Sequence, residues 1–174
     1  MTTDLKIRVK ADPTRDAATL LIANARVPYD AFTTKPDDNE RFKLALDLSS
    51  DDRVVQQVTE TLETLAAQLA DKGGVEVHVD NVWSPLNSET GYLYTNWTKK
   101  MKSPHFVNEQ GFESAKALAI KEGAVVNYKV RIKAYLGEDE ETGNAVINLQ
   151  AYPDAIILIK QGNTAELLKD EFDF

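Results

Sequence analysis

Side chains alternate between polar and apolar along the segment from Asn127 to Tyr135, and this pattern limits the fold more than any other part of the chain. Successive residues of a β-strand point to opposite faces of the sheet, so the alternation predicts a strand with one buried face. The residues of one parity are Tyr128, Val130, Ile132 and Ala134, and those of the other are Lys129, Arg131, Lys133 and Tyr135. The first set suits a core, so we expect partner strands beside this one.

The same kind of pattern predicts strands elsewhere in the chain. Between Arg41 and Leu48 the apolar side chains fall on one face and the polar ones on the other. The remaining predicted strands are Leu20 to Val27, Val75 to Val79, Tyr92 to Lys102, Ala124 to Leu136 and Ala145 to Ile159. An acidic hairpin loop, Gly137 to Gly143, joins the last two strands, and Pro153-Asp154 marks a bulge or break in the second of them.

Two helices interrupt the strands. Ser49 to Asp52 supplies N-cap candidates and first-turn acid for a long helix that ends at Gly73-Gly74. Its apolar residues at helical spacing are Val54, Val58, Leu62, Leu65 and Leu69. Glu109 to Glu122 is predicted as a shorter helix closed by Gly123. A chain that consists mostly of strands and has few helices favours a small barrel over an alternating βαβ sheet.

The residue types that carry catalysis and metal binding are sparse. The chain has no cysteine and two histidines, His78 and His105, which are far apart in sequence. It has no Gly-rich Lys-Ser/Thr phosphate loop, and the acidic loop Glu138 to Gly143 lacks the spaced ligands of a calcium site. We therefore predict no metal, no cofactor, no catalytic residue and no enzymatic activity.

The signals of membrane insertion or export are also lacking in the sequence. No apolar run approaches the roughly 18 residues that a membrane-spanning helix needs. Met1 to Lys10 lacks the apolar segment of a signal peptide. The absence of cysteine suits a reducing compartment. These features predict neither a membrane partner nor secretion.

The formal net charge of −8 argues against a polyanionic partner only until the charges are mapped along the chain. The acidic residues concentrate in Asp37 to Glu40, Asp51-Asp52, Glu138 to Glu141 and the C-terminal stretch. The basic residues concentrate at Lys99, Lys100 and Lys102 and at Lys129, Arg131 and Lys133. A basic face on an acidic protein is consistent with this distribution.

Three predicted strands each present an outward face suited to single-stranded nucleic acid. The first carries Lys129, Arg131, Lys133 and Tyr135; the second carries Tyr92, Tyr94, Lys100 and Lys102; the third carries Arg41 and Lys43. Cations can follow phosphates and aromatic rings can stack on bases. The alternative is an ordinary solvated outer face. By parity, Trp97 points to the core; the alternative is a stacking platform, if a twist or bulge turns it outward.

The C-terminus places aromatic rings among acids. Its last five residues are Asp170, Glu171, Phe172, Asp173 and Phe174. Exposed rings at a free terminus suggest a partner-binding segment. The alternative is a terminus docked on its own core, with Phe172 or Phe174 buried.

An ordered set of short motifs supports a more specific interpretation. The set comprises Leu20 to Val27 with Pro28-Tyr29, Lys35-Pro36, Arg41 to Leu48, a helix after Asp51-Asp52, Ser103 to Asn108, Gly123 to Tyr135, a loop with Gly143, Val146 to Leu149, and the terminal Asp173-Phe174. In this order, over roughly residues 20 to 160 plus the last few, the chain resembles the OB-fold single-stranded DNA-binding proteins of tailed bacteriophages.

The resemblance implies a fold and an organisation. The expected fold is mainly β, α+β by content: an OB-fold-like antiparallel barrel with one long inserted helix, one short helix and a flexible acidic C-terminal tail. Residues 1–162 would form the DNA-binding domain and residues 163–174 the tail. The resemblance leaves the place of Val75 to Val79 in the barrel open.

The resemblance also implies a role. It predicts a sequence-independent binder that protects and organises single-stranded DNA in phage DNA replication and recombination, in the host cytoplasm. The tail would recruit replication proteins of the polymerase, helicase or primase type and compete with DNA for the basic groove. Oligomeric state stays open, homo-oligomers included. The alternative function is a non-catalytic protein-interaction or assembly module with a β-barrel core.

Overall fold

Within residues 4–163, 165, 168 and 169, which the computed structural model describes, the chain forms ten β-strands, one α-helix and two short 3-10 helices. The strands are β1 Lys6–Asp12, β2 Ala17–Arg26, β3 Phe42–Asp47, β4 Val82–Trp83, β5 Leu86–Asn87, β6 Tyr92–Trp97, β7 His105–Val107, β8 Glu113–Ser114, β9 Val125–Glu138 and β10 Ala145–Lys160. The helix is α1 Asp52–Gly73, and the 3-10 helices are Pro13–Arg15 and Val79–Asn81.

Five of the strands form the barrel. They follow the order β6-β3-β2-β9-β10 with antiparallel pairing between neighbours, and β10 contacts β6 at the other edge, so the path curls on itself. This is the five-stranded, partly open arrangement of an OB-fold, in which β3 and β6 are the second and third strands. The predicted OB-like barrel is therefore confirmed. The sheet is nonetheless mixed, because β4 and β7 join β10 in parallel.

The core follows the predicted parity. On β9 the inward side chains are Val126, Tyr128, Val130, Ile132 and Ala134, and all of them are buried. The hydroxyl of Tyr128 lies 2.5 Å from that of Thr95 on β6, and Thr95 donates to the carbonyl of Leu44 on β3 at 2.6 Å. A buried hydroxyl without a partner would cost about 1–3 kcal/mol, so this chain of hydrogen bonds stabilises the interior where the three strands meet.

Helix α1 confirms the predicted long helix. The Asp51 carboxylate caps it by accepting from the backbone N–H of Arg53 at 2.9 Å, and Gly74 ends it in the left-handed conformation with φ +62°. Its buried residues are Val54, Val58, Leu62, Leu65, Ala66 and Leu69. Each buried valine or leucine contributes about 1.5–3 kcal/mol, which fixes the helix against β1, β2, β9 and β10.

The second predicted helix, Glu109 to Glu122, is wrong. The chain forms the hairpin β7–β8 instead, with a turn in which Gly111 has φ +84° and the Asn108 side chain accepts from the backbone N–H groups of Gln110 and Phe112. Beyond the hairpin the segment runs along the barrel, where Ile120 is buried. The left-handed glycine and the competing side chain prevent a helix from starting here.

Two strand predictions need correction. Val75 to Val79 is not a strand: it is exposed apart from Val77, pairs with no strand of the described chain, and leads into the 3-10 helix Val79–Asn81. The strand predicted over Tyr92 to Lys102 stops at Trp97, because its partner β3 begins at Phe42, directly opposite Trp97. Trp97 itself is 3% exposed and stacks on Phe42, which confirms its predicted place in the core.

Strand β1 was not predicted, and neither were the strands of two or three residues, β4, β5, β7 and β8. β1 pairs antiparallel with β2 over the whole stretch from Lys6↔Ala23 to Asp12↔Ala17. Its polar residues Lys6, Arg8 and Lys10 alternate with Ile7 and Val9. The strand widens the sheet beyond the barrel on the side of β2.

Candidate nucleic-acid interface

The outward face of β9 presents a row of cations. Lys129, Arg131 and Lys133 occupy alternate positions opposite to the buried set, and Tyr135 continues the row with 41% of its surface exposed. The Lys133 ammonium lies 5.4 Å from the centre of the Tyr135 ring. Within the described residues none of the three cations makes a salt bridge. Their charge is therefore available to a phosphate.

Strand β10 adds polar and aromatic side chains beside this row. Its residues opposite Arg131, Lys133 and Tyr135 are Tyr152, Gln150 and Asn148 in turn. The hydroxyls of Tyr135 and Tyr152 lie 3.4 Å apart. Burial raises the pKa of Tyr152, and the contact with Tyr135 raises it further, so the Tyr152 phenol stays protonated near neutral pH and can donate a hydrogen bond.

Strand β1 adds three cations that were not among the predicted site residues. Through β2, Arg8 and Lys129 both flank Leu21, and Lys10 and Arg131 both flank Thr19. Directly paired residues of neighbouring strands share a face, so β1 and β9 present their cations to the same side. We call this surface the basic face; it consists of Lys6, Arg8, Lys10, Lys129, Arg131 and Lys133.

A depression of about 400 Å³ lies in the basic face. Lys6, Arg8 and Lys129 line its rim, and its apolar lining includes Leu21 and Ile157. Apolar surface beside cations suits a ligand that has a flat, weakly polar ring and an anionic group. A nucleotide has this character.

Three tyrosines form a second outward surface on the barrel. The ring centres of Tyr29 and Tyr92 are 6.4 Å apart and those of Tyr92 and Tyr94 are 6.5 Å apart, in both cases edge to face. Tyr29 and Tyr94 are 43% and 40% exposed. Burial raises the pKa of Tyr29 to about 12, with Tyr94 adding to the shift. We call these residues the tyrosine cluster; Tyr92 and Tyr94 were predicted, and Tyr29 was not.

Arg41 connects the two surfaces. It donates from Nη1 to Oδ1 of Asn96 at 2.8 Å, and Asn96 is two residues from Tyr94 on the same face of β6. The charge of Arg41 also lowers the pKa of Tyr152, against the larger effect of burial, and β6 contacts β10 where the barrel closes. The predicted residues of three separate strands thus form one band, from the tyrosine cluster through Arg41 to the basic face.

Lys43 is placed differently from the prediction. It lies on the outward face of β3 opposite Asn96, but its ammonium makes a salt bridge with the carboxylate of Asp37. The hydrogen bond from Lys43, together with one from the backbone N–H of Arg41, lowers the pKa of Asp37. A cation already paired with a carboxylate binds phosphate less readily, so Lys43 contributes less to the band than Arg41 does.

Lys100 and Lys102 do not share a strand face with Tyr92 and Tyr94, contrary to prediction, because β6 ends before them. Lys102 instead lies in the following loop, where it lines a depression of about 280 Å³ together with Lys129, His105 and Asp154. Lys102 therefore lies close to Lys129 of the basic face, although it is not on a strand. Lys100 is exposed in the turn after β6.

The predicted partner-binding residues Asp170, Glu171, Phe172, Asp173 and Phe174 lie outside the described residues. In the described part of the chain, no group of three or more His, Asp or Glu side chains is arranged to hold a metal ion. The two histidines each pair with one acid, His78 with Asp80 and His105 with Glu113. No helix among the described residues is both long enough and apolar enough to cross a membrane.

Comparison with known proteins gives matches in structure only. No protein-family model matches the sequence, and no curated protein matches it. The single-stranded DNA-binding protein from bacteriophage Enc34 in complex with ssDNA aligns with a TM-score of 0.57 at 13% identity, over 93% of this chain and 98% of that chain. Another structure of the Enc34 protein aligns with a TM-score of 0.56 at 14% identity, over 98% and 100%. Its C-terminal truncation gives 0.54 at 14% identity, over 94% and 98%.

These alignments cover nearly the whole of both chains. At such low identity they show a common fold. The resemblance to phage single-stranded DNA-binding proteins that the sequence predicts is thereby confirmed for the fold.

Proposed function

We propose that this protein binds single-stranded DNA without sequence preference, along the band that runs from the tyrosine cluster through Arg41 to the basic face. The observation that carries the proposal is the hydrogen bond from Arg41 to Asn96, which places a cation two residues from Tyr94 on β6, the strand that contacts β10. It makes one surface out of aromatic rings on β6 and cations on β9. Single-strand binders combine these two elements.

The two elements have different tasks. Each base stacked on an exposed tyrosine contributes about 1–3 kcal/mol, and any base can stack because every base has a π-face. The cations bind phosphates and release counterions, which makes binding depend on salt but not on sequence. In duplex DNA the faces of the bases are stacked on one another, so a duplex can interact with the cations but not with the tyrosine rings.

The distribution of charge favours this surface over others. With a net charge of −8 the protein repels DNA overall. The cations of β9 have no acidic partner within the described residues, whereas Lys43, Lys72 and Lys121 lie against carboxylates elsewhere. DNA is therefore directed to the basic face. In OB barrels, oligonucleotides usually bind on the face that the second and third strands form. In this protein those strands are β3 and β6.

The wider role follows from the same proposal. The protein would coat and protect single-stranded DNA during phage replication and recombination inside the host cell, as a binder and not as a catalyst. Residues 1–162 would bind the DNA, and residues 163–174 would recruit polymerase, helicase or primase. The Enc34 protein of the same fold was solved in complex with ssDNA, which supports the choice of ligand.

A titration with labelled oligonucleotides tests the proposal. Fluorescence anisotropy of labelled oligo-dT, of a mixed-sequence single strand and of a duplex of equal length should show tight and similar binding of both single strands and weaker binding of the duplex. The affinity should fall as salt rises. Equal affinity for duplex would exclude stacking, and no binding at all would favour the protein-interaction or assembly module.

A further inference from the structure

Trp83 has no role in the band described so far, although 54% of its surface is exposed. It ends the two-residue strand β4, which lies in parallel beside β10 with Trp83 opposite Asn148. Asn148 in turn lies opposite Tyr135 on β9. The three side chains therefore share the outer face of the sheet, in one row across β4, β10 and β9.

Trp83 and Tyr135 line the same depression, of about 460 Å³. The amide of Asn148 lies between them in the row and accepts from Nε2 of Gln150 at 2.7 Å, which orients it. The depression thus offers two exposed rings and an oriented amide. A planar ligand with hydrogen-bonding edges, such as a nucleobase, fits this chemistry.

Charge is unequal on the two sides of this depression. Lys133, whose ammonium lies 5.4 Å from the Tyr135 ring, approaches from the basic face. Glu138, Asp139 and Glu140 line the opposite side. Phosphates are attracted to the first side and repelled by the second, whereas a neutral base can occupy the space between them. The sugar-phosphate chain would therefore stay beside Lys133 while a base reaches Trp83.

We propose that Trp83 is an additional stacking platform for single-stranded DNA, which extends the band by one base beyond Tyr135. This inference rests on the proposed function. Trp83 would mark the end of the DNA path, because Glu138, Asp139 and Glu140, which line the same depression, repel further phosphates. A basic and apolar segment of a partner protein is the competing occupant, and continuity with Tyr135 and the basic face favours DNA.

Tryptophan fluorescence can report on DNA contact at Trp83, because the only other tryptophan, Trp97, is 3% exposed and lies in the core. Adding oligo-dT should quench the emission of the wild type and of Trp97→Phe, in which Trp83 is the sole reporter. The quenching should be lost in Trp83→Phe, which keeps an aromatic ring at the site. Binding itself is followed separately by the anisotropy of a labelled oligonucleotide.

Affinity provides the second readout. Trp83→Ala should weaken oligo-dT binding about tenfold and leave the salt slope unchanged, because a stacked ring carries no charge. Val79→Ala, at a 77% exposed position in the adjacent 3-10 helix, is the matched control and should bind like the wild type. Should Trp83→Ala fail to fold, the emission of Trp97→Phe decides.

The outcomes separate the two proposals. If labelled oligo-dT binds with equal affinity to wild type and Trp83→Ala, and the emission of Trp97→Phe does not change, Trp83 lies off the DNA path. The depression then suits a protein segment, while the proposed function stands. If oligo-dT does not bind the wild type, the proposed function itself fails.

Discussion

Arg41 on the edge of β3 donates a hydrogen bond from Nη1 to Oδ1 of Asn96 on β6, at 2.8 Å. This contact holds a guanidinium two residues from Tyr94 on the outward face of β6. A cation beside exposed rings can bind the phosphate that links two stacked bases. The arrangement gives Arg41 more importance for binding than its position in the sequence indicates.

Arg41→Ala should therefore weaken single-stranded DNA binding about tenfold and reduce the magnitude of the salt slope by about 1, as expected for one lost phosphate contact. Arg53→Ala is the matched control, because it removes the same charge from an exposed position at the start of α1. The measurement is anisotropy of labelled oligo-dT at several salt concentrations. If both variants lose affinity equally, the loss reflects net charge, and Arg41 has no specific contact.

The three cations on β9 should contribute to DNA binding together, through their charge. Alanine at any two of Lys129, Arg131 and Lys133 should weaken binding and flatten the salt slope while leaving the melting temperature unchanged, because these side chains point away from the core. Tyr135→Ala should weaken binding with little effect on the slope. Normal affinity in both kinds of variant would show that DNA binds elsewhere.

Trp97 should matter for stability and not for DNA contact. It is 3% exposed and stacks on Phe42 with ring centres 5.5 Å apart. Trp97→Ala should lower the free energy of unfolding by about 3–5 kcal/mol, measured by urea denaturation. At a temperature where the variant is folded, its affinity for oligo-dT should match that of the wild type. A variant with normal stability and lost binding would contradict the assignment of Trp97 to the core.

Deleting Asp170 to Phe174 should strengthen DNA binding, most clearly at low salt. We expect the acidic tail to compete with DNA for the basic face, and salt screens that competition. The same deletion should abolish capture of replication proteins while the melting temperature stays constant. A melting temperature lower by several degrees, with no gain in affinity, would instead indicate that Phe172 and Phe174 stabilise the fold.

The parts of the fold with a strong local pattern could be predicted from sequence. Helix α1 has both a side-chain cap at Asp51 and a regular apolar stripe, and β9 has a clear period of two. The predicted irregularity at Pro153-Asp154 is confirmed as a register shift between Pro153 and Ala155. In each case the decisive interactions lie within a few residues of each other.

Other parts depend on contacts between distant segments. Phe112 and Leu118 suggested a helix, but the segment is held by long-range bonds such as that from Thr33 Oγ1 to the carbonyl of Leu118 at 2.5 Å. Val75 to Val79 alternates well but finds no strand to pair with in the described chain. A local sequence pattern does not show which edge of a sheet is available for pairing with a further strand.

Separate parts of the candidate site could be predicted from the sequence, but not how they come together. The outward residues of β6 and β9 follow from parity, but whether they form one surface depends on barrel closure, which brings β6 beside β10. Lys6, Arg8 and Lys10 alternate with apolar residues, so the signal for β1 was present in the sequence. Trp83 lies in a strand of two residues, too short to have a period.

Photo-crosslinking to bromouracil-substituted single strands, with mass spectrometry to locate the modified residues, tests most directly whether DNA follows the band. We predict crosslinks at Tyr92 or Tyr94 and also at Tyr135 or Tyr152 within the same complex, since one strand would cross both surfaces. Phe112, which is 69% exposed in the turn of the β7–β8 hairpin and belongs to neither the tyrosine cluster nor the basic face, should not react. Crosslinks confined to Phe112, or to one end of the band only, would contradict a continuous path from the tyrosine cluster to the basic face.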